Sequence, residues 1–135
     1  MIRAGHQQLT KELWQTRRAG FDLYISQFVL DEAAAGDAEA ARERLAALEG
    51  LPILDVSEEV LDLARALSVS LALPVKAVTD AAHIATAAVH GMHFLLTWNC
   101  AHIANAEMFV AIERACREHG YSCPVICTPE ELMGV

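Results

Sequence analysis

Residues 79–105, TDAAHIATAAVHGMHFLLTWNCAHIAN, constrain the fold more than any other stretch of this chain. Asp80, His83, Ile84, Ala87 and Ala88 recur at helical spacing, so they share one face of an alanine-rich helix. Gly91 stops that helix. HFLLTW then reads as an apolar strand that ends on Trp98 and Asn99 and runs into a short polar loop. A helix that feeds directly into a buried strand is a unit of an α/β domain.

The same alternation runs along the rest of the chain. Residues 6–18 read as a helix with Leu9, Leu13 and Trp14 on one side, although no convincing cap precedes it. FDLYISQFVL contains a buried strand over residues 23–26, and polarity returns with Asp31 and Glu32. A break at Ala35, Gly36 and Asp37 leads into a helix over residues 38–48, with Asp37 as N-cap and Gly50 as stop. LPILDV is a short strand. Ser57, Glu58 and Glu59 open the next helix, placing acids where the helix dipole favours them. LALP ends it, and after Pro74 another helix runs to His90. Asn105 can cap a helix that ends near Glu118, with Gly120 behind it. PVICT is the last strand, and Thr128-Pro129-Glu130-Glu131 forms a capping box for a final turn. Strands separated by helical crossovers imply a mainly parallel sheet with helices on both faces. There is no internal repeat, low-complexity run or linker.

At 135 residues the expectation is a single domain over residues 1–135 with one core. Hydrophobic residues make up 54% and aromatics only 6%, so the core should be built from closely packed, alanine-rich helices. No apolar run approaches the ~18 residues of a membrane span. MIRAGHQQLTKEL has no signal-peptide core, so a cytoplasmic location and no membrane partner are expected. A net charge of −8 argues against non-specific coating of nucleic acid. It is compatible with a nuclease whose acidic site binds cations, with a basic partner protein, or with plain solubility. Cys100, Cys116, Cys123 and Cys127 should be reduced. With His119 they match no common zinc spacing, and Cys116 falls on an apolar helix face. Core thiols are the expectation.

Sites in parallel sheets lie at the carboxyl ends of the strands. Glu32 follows the first strand, Asn99 ends the HFLLTW strand, and Asp80 opens the helix before it. An acid on an inward, alanine-rich face is costly unless it is paired or metal-bound. Asp80 therefore has two readings, a cap for the helix N-terminus or a site carboxylate. His83, one turn on, either orients Asp80, anchors a loop or is a satisfied core histidine. Carboxylates brought together repel unless a divalent cation neutralises them. Mg²⁺ or Mn²⁺ prefers such oxygen ligands and can activate water against a phosphodiester.

At these residues the chain resembles the PIN-domain nucleases, and most closely their bacterial branch of VapC-type toxins. The likeness rests on LYISQFVLDEAAAGD, DAAHIATA, LLTWNCAHIAN and VICTPEEL, and extends from about Leu9 to Met133. It implies an α/β three-layer sandwich, an acidic cluster holding Mg²⁺ or Mn²⁺, RNA as substrate, and an antitoxin protein as partner. Glu32 and Asp80 match family acids and would be the metal ligands. Asn99 stands where many members carry an acid, and would complete the catalytic set through its amide oxygen. Family members open with a strand that ends in an acid. Nothing between Met1 and Gly20 reads as β, so that first strand and its acid are expected to be missing. Its loss would leave two central edges unpaired, which predicts homo-oligomerisation or rearrangement and weak or absent nuclease activity. Asp31 is a possible substitute acid, but as a neighbour of Glu32 on extended chain it should face the other way. The rival expectation is a non-catalytic interaction module that binds an antitoxin-like or self partner. A third is a small metal hydrolase acting on another phosphate ester.

Other residues carry weaker signals. Trp98 fits base stacking or a buried aromatic at a strand end. His102 fits a phosphate contact or an ordinary loop position. Ser26 and Thr97 fit pocket support or plain strand positions. Arg17, Arg18, Arg42 and Arg44 fit solvated helix faces. Cys100 and His102 form an unremarkable thiol–imidazole pair.

Overall fold

The structure is a computed structural model, and it describes residues 22–71, 78–96 and 106–127. Its elements run β1 (Ile25–Ser26), α1 (Gln27–Ala34), α2 (Ala38–Leu48), β2 (Ile53–Leu54), α3 (Glu58–Ser70), α4 (Val78–Val89), β3 (Phe94–Leu96), α5 (Ala106–Glu118) and β4 (Val125–Cys127). Helices and parallel strands alternate, so the chain is an α/β domain as the pattern predicts. The expected helix over residues 6–18, the absence of a strand before Gly20, the Asn105 cap and the final turn all lie outside the described residues.

Short polar side chains set the helix starts. Ser26 Oγ accepts from the Val29 amide at 3.4 Å and Asp37 Oδ2 accepts from the Ala40 amide at 3.0 Å. Ser57 Oγ accepts from the Val60 amide at 3.4 Å. Each hydrogen bond satisfies one of the amides a helix start leaves open. Ser26 thereby ends β1 and begins α1 without a loop. The strand expected over residues 23–26 shrinks to two residues, and α1 is a helix the pattern reading does not contain.

The ends are closed just as locally. At α4, Gly91 N–H donates to Ala88 O at 3.1 Å and Met92 N–H to Ala87 O at 2.9 Å. Gly91 takes a φ of +70°, the left-handed conformation that this paired closure requires. Arg44 closes α1 from outside. Its Nε donates to Ala33 O at 3.1 Å and its Nη2 to Ala35 O at 2.6 Å. A cation at the carboxyl end of a helix also opposes the helix dipole. Arg44 is therefore a C-terminal clasp for α1 while keeping the exposed position expected of it.

The core lies among α3, α4 and α5. Val60, Leu63 and Leu67 of α3 meet Ala81, Ile84, Ala85 and Ala88 of α4, with Ile112, Ala115 and Cys116 of α5 completing the cluster. On α4 these positions follow i, i+3, i+4, i+7 spacing, one continuous stripe. Three of its four members are alanine, which lets the backbones of α3 and α4 approach closely, and theirs is the most extensive helix contact among the described residues. Leu63, Leu67, Ile84 and Ile112 are at most 1% exposed, and each contributes roughly 1.5–3 kcal/mol by leaving water. Thr86 of α4 is also buried, and its hydroxyl donates to Ala82 O at 2.7 Å.

The strands form two parallel pairs among the described residues. β1 pairs with β2 (Ile25 opposite Ile53), and β3 pairs with β4 (Phe94 opposite Val125). Each pair is joined through helices, the crossover that parallel neighbours need. Leu95 and Ile126 pack onto the helical core. The alternate residues Phe94 and Val125 stay 47% and 58% exposed, and Ile53 stays 55% exposed. His90 Nε2 donates to Asp55 O at 2.8 Å and ties the end of α4 to the exit of β2. No helix among the described residues is long and apolar enough to cross a membrane.

Candidate functional site

Ser26 starts α1 immediately after β1, so residues of α1 project beyond the carboxyl end of that strand. Phe28 and Glu32 are one helical turn apart and lie on the same side of α1. Both meet His83 of α4. His83 Nε2 donates to Glu32 Oε1 at 2.9 Å. Phe28 sets its ring edge-on against the imidazole, with centroids 6.2 Å apart and planes at 85°. The contact joins residues 51 positions apart in the chain. Topology alone brings them together, and no local motif announces the pair.

Asp80 sits in the first turn of α4, where a negative charge complements the helix dipole. It is half-buried, and its Oδ2 is enclosed by protein. Asp80 and His83 are three residues apart on α4, which places their Cβ atoms roughly 5–6 Å apart on one face. Glu32 and His83 thus meet across a seam between α1 and α4, and Asp80 lies one turn before His83 on α4. Asp31 points away from it. Gln27 Nε2 donates to Asp31 Oδ1 at 2.9 Å along a different side of α1. The two acids diverge because consecutive helix residues are turned by about 100°, not because of strand alternation. Asn99, Trp98, Thr97, Cys100 and His102 lie outside the described residues.

His83 is the residue that sequence reasoning undervalued. Its expected roles were orienting Asp80, anchoring a loop or satisfying the core. The structure gives it Glu32 as a partner. Only the spacing to Asp80 was available as a signal, and that spacing pointed along α4 rather than across to α1.

Glu32 and Asp80 carry carboxylates, which are hard oxygen donors. Such donors suit Mg²⁺ or Mn²⁺, which keep several of their own waters and need few protein ligands. Among the described residues no group of three or more His, Cys, Asp or Glu side chains converges to hold a metal. Any site here would rest on Glu32 and Asp80 with water filling the remaining positions. Cys116 and Cys127 are buried.

The family model for the PIN domain matches residues 3–99. That span includes Glu32, His83, Asp80 and Asn99. No curated protein and no solved structure matches the chain.

Proposed function

Because the chain belongs to the PIN domain family, a nuclease-type family, we propose that it is a ribonuclease of the toxin–antitoxin kind with weakened metal-dependent activity. The observation that carries the reading is the contact of Glu32 with His83 at 2.9 Å across α1 and α4, with Asp80 one turn before His83 on α4. Glu32 and Asp80 hold Mg²⁺ or Mn²⁺, and Asn99 adds a neutral oxygen. When bound, the metal supplies water activation and charge stabilisation on an RNA phosphodiester. His83 restricts the rotamers of an exposed Glu32, so less side-chain entropy is lost when a cation arrives. Activity is weak because the matched positions offer two carboxylates and one amide. Less negative charge means weaker attraction for a divalent ion.

In this reading the two parallel pairs are wings of one three-layer sandwich, and the family's first strand belongs between β1 and β3. The protein is cytoplasmic and its protein partner is an antitoxin. A second reading is a non-catalytic interaction module, favoured by the exposed apolar side chains of Ile53, Phe94 and Val125. Such a module would use them against an antitoxin-like chain or a second copy.

Titration with Mn²⁺, followed by thermal unfolding, separates the two. A rise in Tm that disappears in Glu32→Gln and in Asp80→Asn is expected for the nuclease reading. No response in the wild-type chain overturns it in favour of the module. A panel of RNA and simple phosphate esters then distinguishes a ribonuclease from another metal hydrolase.

A further inference from the structure

The exit of α5 carries a feature unrelated to the α1–α4 seam. Gly120 N–H donates to Arg117 O at 3.0 Å, and Tyr121 N–H donates to Cys116 O at 2.9 Å. With Gly120 at a φ of +85°, these bonds form a paired helix closure in which the chain folds back over the last turn. The first residues after the turn are thereby returned toward Cys116. Cys123, two residues beyond Tyr121, packs against the core cluster to which Cys116 belongs. Cys116 is completely buried and Cys123 is half-buried. Both are free thiols.

Access to the two sulfurs is unequal. A cavity of about 530 Å³ opens beside α5, and Cys123 lines it together with Ile112, Glu113, Arg117 and Tyr121. Cys116 is not among the lining residues. One thiol faces a space that admits a small reagent, and the other stands behind it in the core. We propose that Cys116 and Cys123 form a peroxide-responsive dithiol, with Cys123 as the attacking sulfur and Cys116 as the resolving one.

The electrostatics agree with that division of roles. The neighbouring Cys116 thiol favours the deprotonated form of Cys123 and pulls it below its ordinary range. Burial and the negative charge of Glu113 oppose this shift. The neighbouring Cys123, together with burial, holds Cys116 far above the ordinary thiol range. Cys123 loses its proton first, and the thiolate is the nucleophile. In the neutral state its S–H donates to Pro124 O at 3.3 Å.

The chemistry balances with a hydroperoxide as oxidant. The Cys123 thiolate attacks the distal peroxide oxygen, an S–O bond forms, the O–O bond breaks, and the alkoxide or hydroxide leaves with a proton. The resulting sulfenic acid is attacked by the Cys116 sulfur. The S–S bond forms, the S–O bond breaks, and the Cys116 proton leaves with the hydroxide as water. Two thiols are oxidised and one peroxide is reduced. A thiol reductant reverses the reaction by exchange. The bond would staple the end of α5 to the entry of β4.

The test is peroxide treatment of the whole folded chain, followed by alkylation, tryptic digestion and mass spectrometry. Trypsin cuts after Arg114 and Arg117, so Cys116 is isolated in residues 115–117 and Cys123 falls in residues 118–135. The expected product has lost about 2 Da and joins those two peptides. Fragmentation should place the bridge on Cys123 rather than Cys127, and dithiothreitol should undo it. In Cys116→Ser, dimedone should trap a sulfenic acid on Cys123. In Cys123→Ser, the bridge should be lost. If Cys116→Ser fails to fold, Cys116→Ala serves in its place, and the wild-type digest decides independently. A folded wild-type chain that forms no bridge, or one bridged through Cys100 or Cys127, overturns the proposal.

Discussion

The helical half and the strand half of this molecule solve the burial problem differently. α3, α4 and α5 meet in a sealed cluster whose large members, Leu63, Leu67, Ile84 and Ile112, are at most 1% exposed. The strands run in two short pairs, and Ile53, Phe94 and Val125 leave about half of their surface in water. Parallel strands are ordinarily covered on both faces. The contrast indicates that the helices carry the stability of the domain, while the strands orient chain ends and offer apolar surface. Alanine makes this possible, because small residues on α4 let the helices close without help from the sheet.

Truncation inside each half is the strongest way to break that comparison. Leu67→Ala and Ile84→Ala should each cost about 2–5 kcal/mol, since the lost contacts are compounded by a cavity. Phe94→Ser and Val125→Thr should shift stability by less than about 1 kcal/mol, because their outer faces are already wet. Urea unfolding of the four variants measures both numbers. Equal losses in the two halves would mean that the exposed strand residues are buried in solution, by association or by another segment.

The division also explains what the sequence made legible. The span expected for α2 and the spans of α3 and α4 follow from patterned apolar residues and from caps at Asp37, Ser57 and Gly91, all of which act within one turn. α1 was missed because Ser26 ends a strand and caps a helix at once, and FVL looks equally suitable for either. Glu32 and Asp80 could be singled out as acids near element ends. Their shared neighbour could not, because the Glu32–His83 contact depends on how α1 lies against α4. Arg44 sits on an exposed face as expected, but its bonds to Ala33 and Ala35 at the end of α1 were not legible for the same reason.

Metal binding probes whether the seam couples α1 to the helical core energetically. Mn²⁺ at 100 times its dissociation constant should stabilise the wild-type chain by about 2.7 kcal/mol. Glu32→Gln and Asp80→Asn should each remove most of that gain. His83→Ala should reduce it while leaving both carboxylates in place, with a greater loss of affinity than of metal-free stability. Calorimetric titration separates these quantities.

Helix termination gives a smaller effect. Arg44→Ala should cost roughly 1 kcal/mol by releasing two carbonyls at the end of α1. Arg44→Lys should recover only part of it, because an ammonium lacks the planar fork that reaches both oxygens. Hydrogen exchange should show faster opening in α1 than in α3. Uniform protection in the two helices would mean that α1 is held by packing rather than by its clasp.

The smallest expected effect lies at the start of α3, and it tests whether the helical half is tuned at its surface as well as packed in its core. Glu59 has its carboxyl held below the ordinary range, first by a hydrogen bond from its own amide and then by one from the Ser57 hydroxyl. Its pKa is therefore lower in the folded chain than in the unfolded one. The associated stabilisation is fully present above the unfolded value near 4.5, and fades as pH falls through the lower folded value. Because the side chain is fully exposed, solvent screening keeps the contribution small. Ser57→Ala should raise the Glu59 pKa toward its ordinary value and flatten the acid limb of stability against pH. Glu59→Gln should flatten that limb as well. Carboxyl chemical shifts followed through an acid titration read both changes directly. An unshifted Glu59 in the wild-type chain would leave Ser57 with the Val60 amide as its sole capping partner.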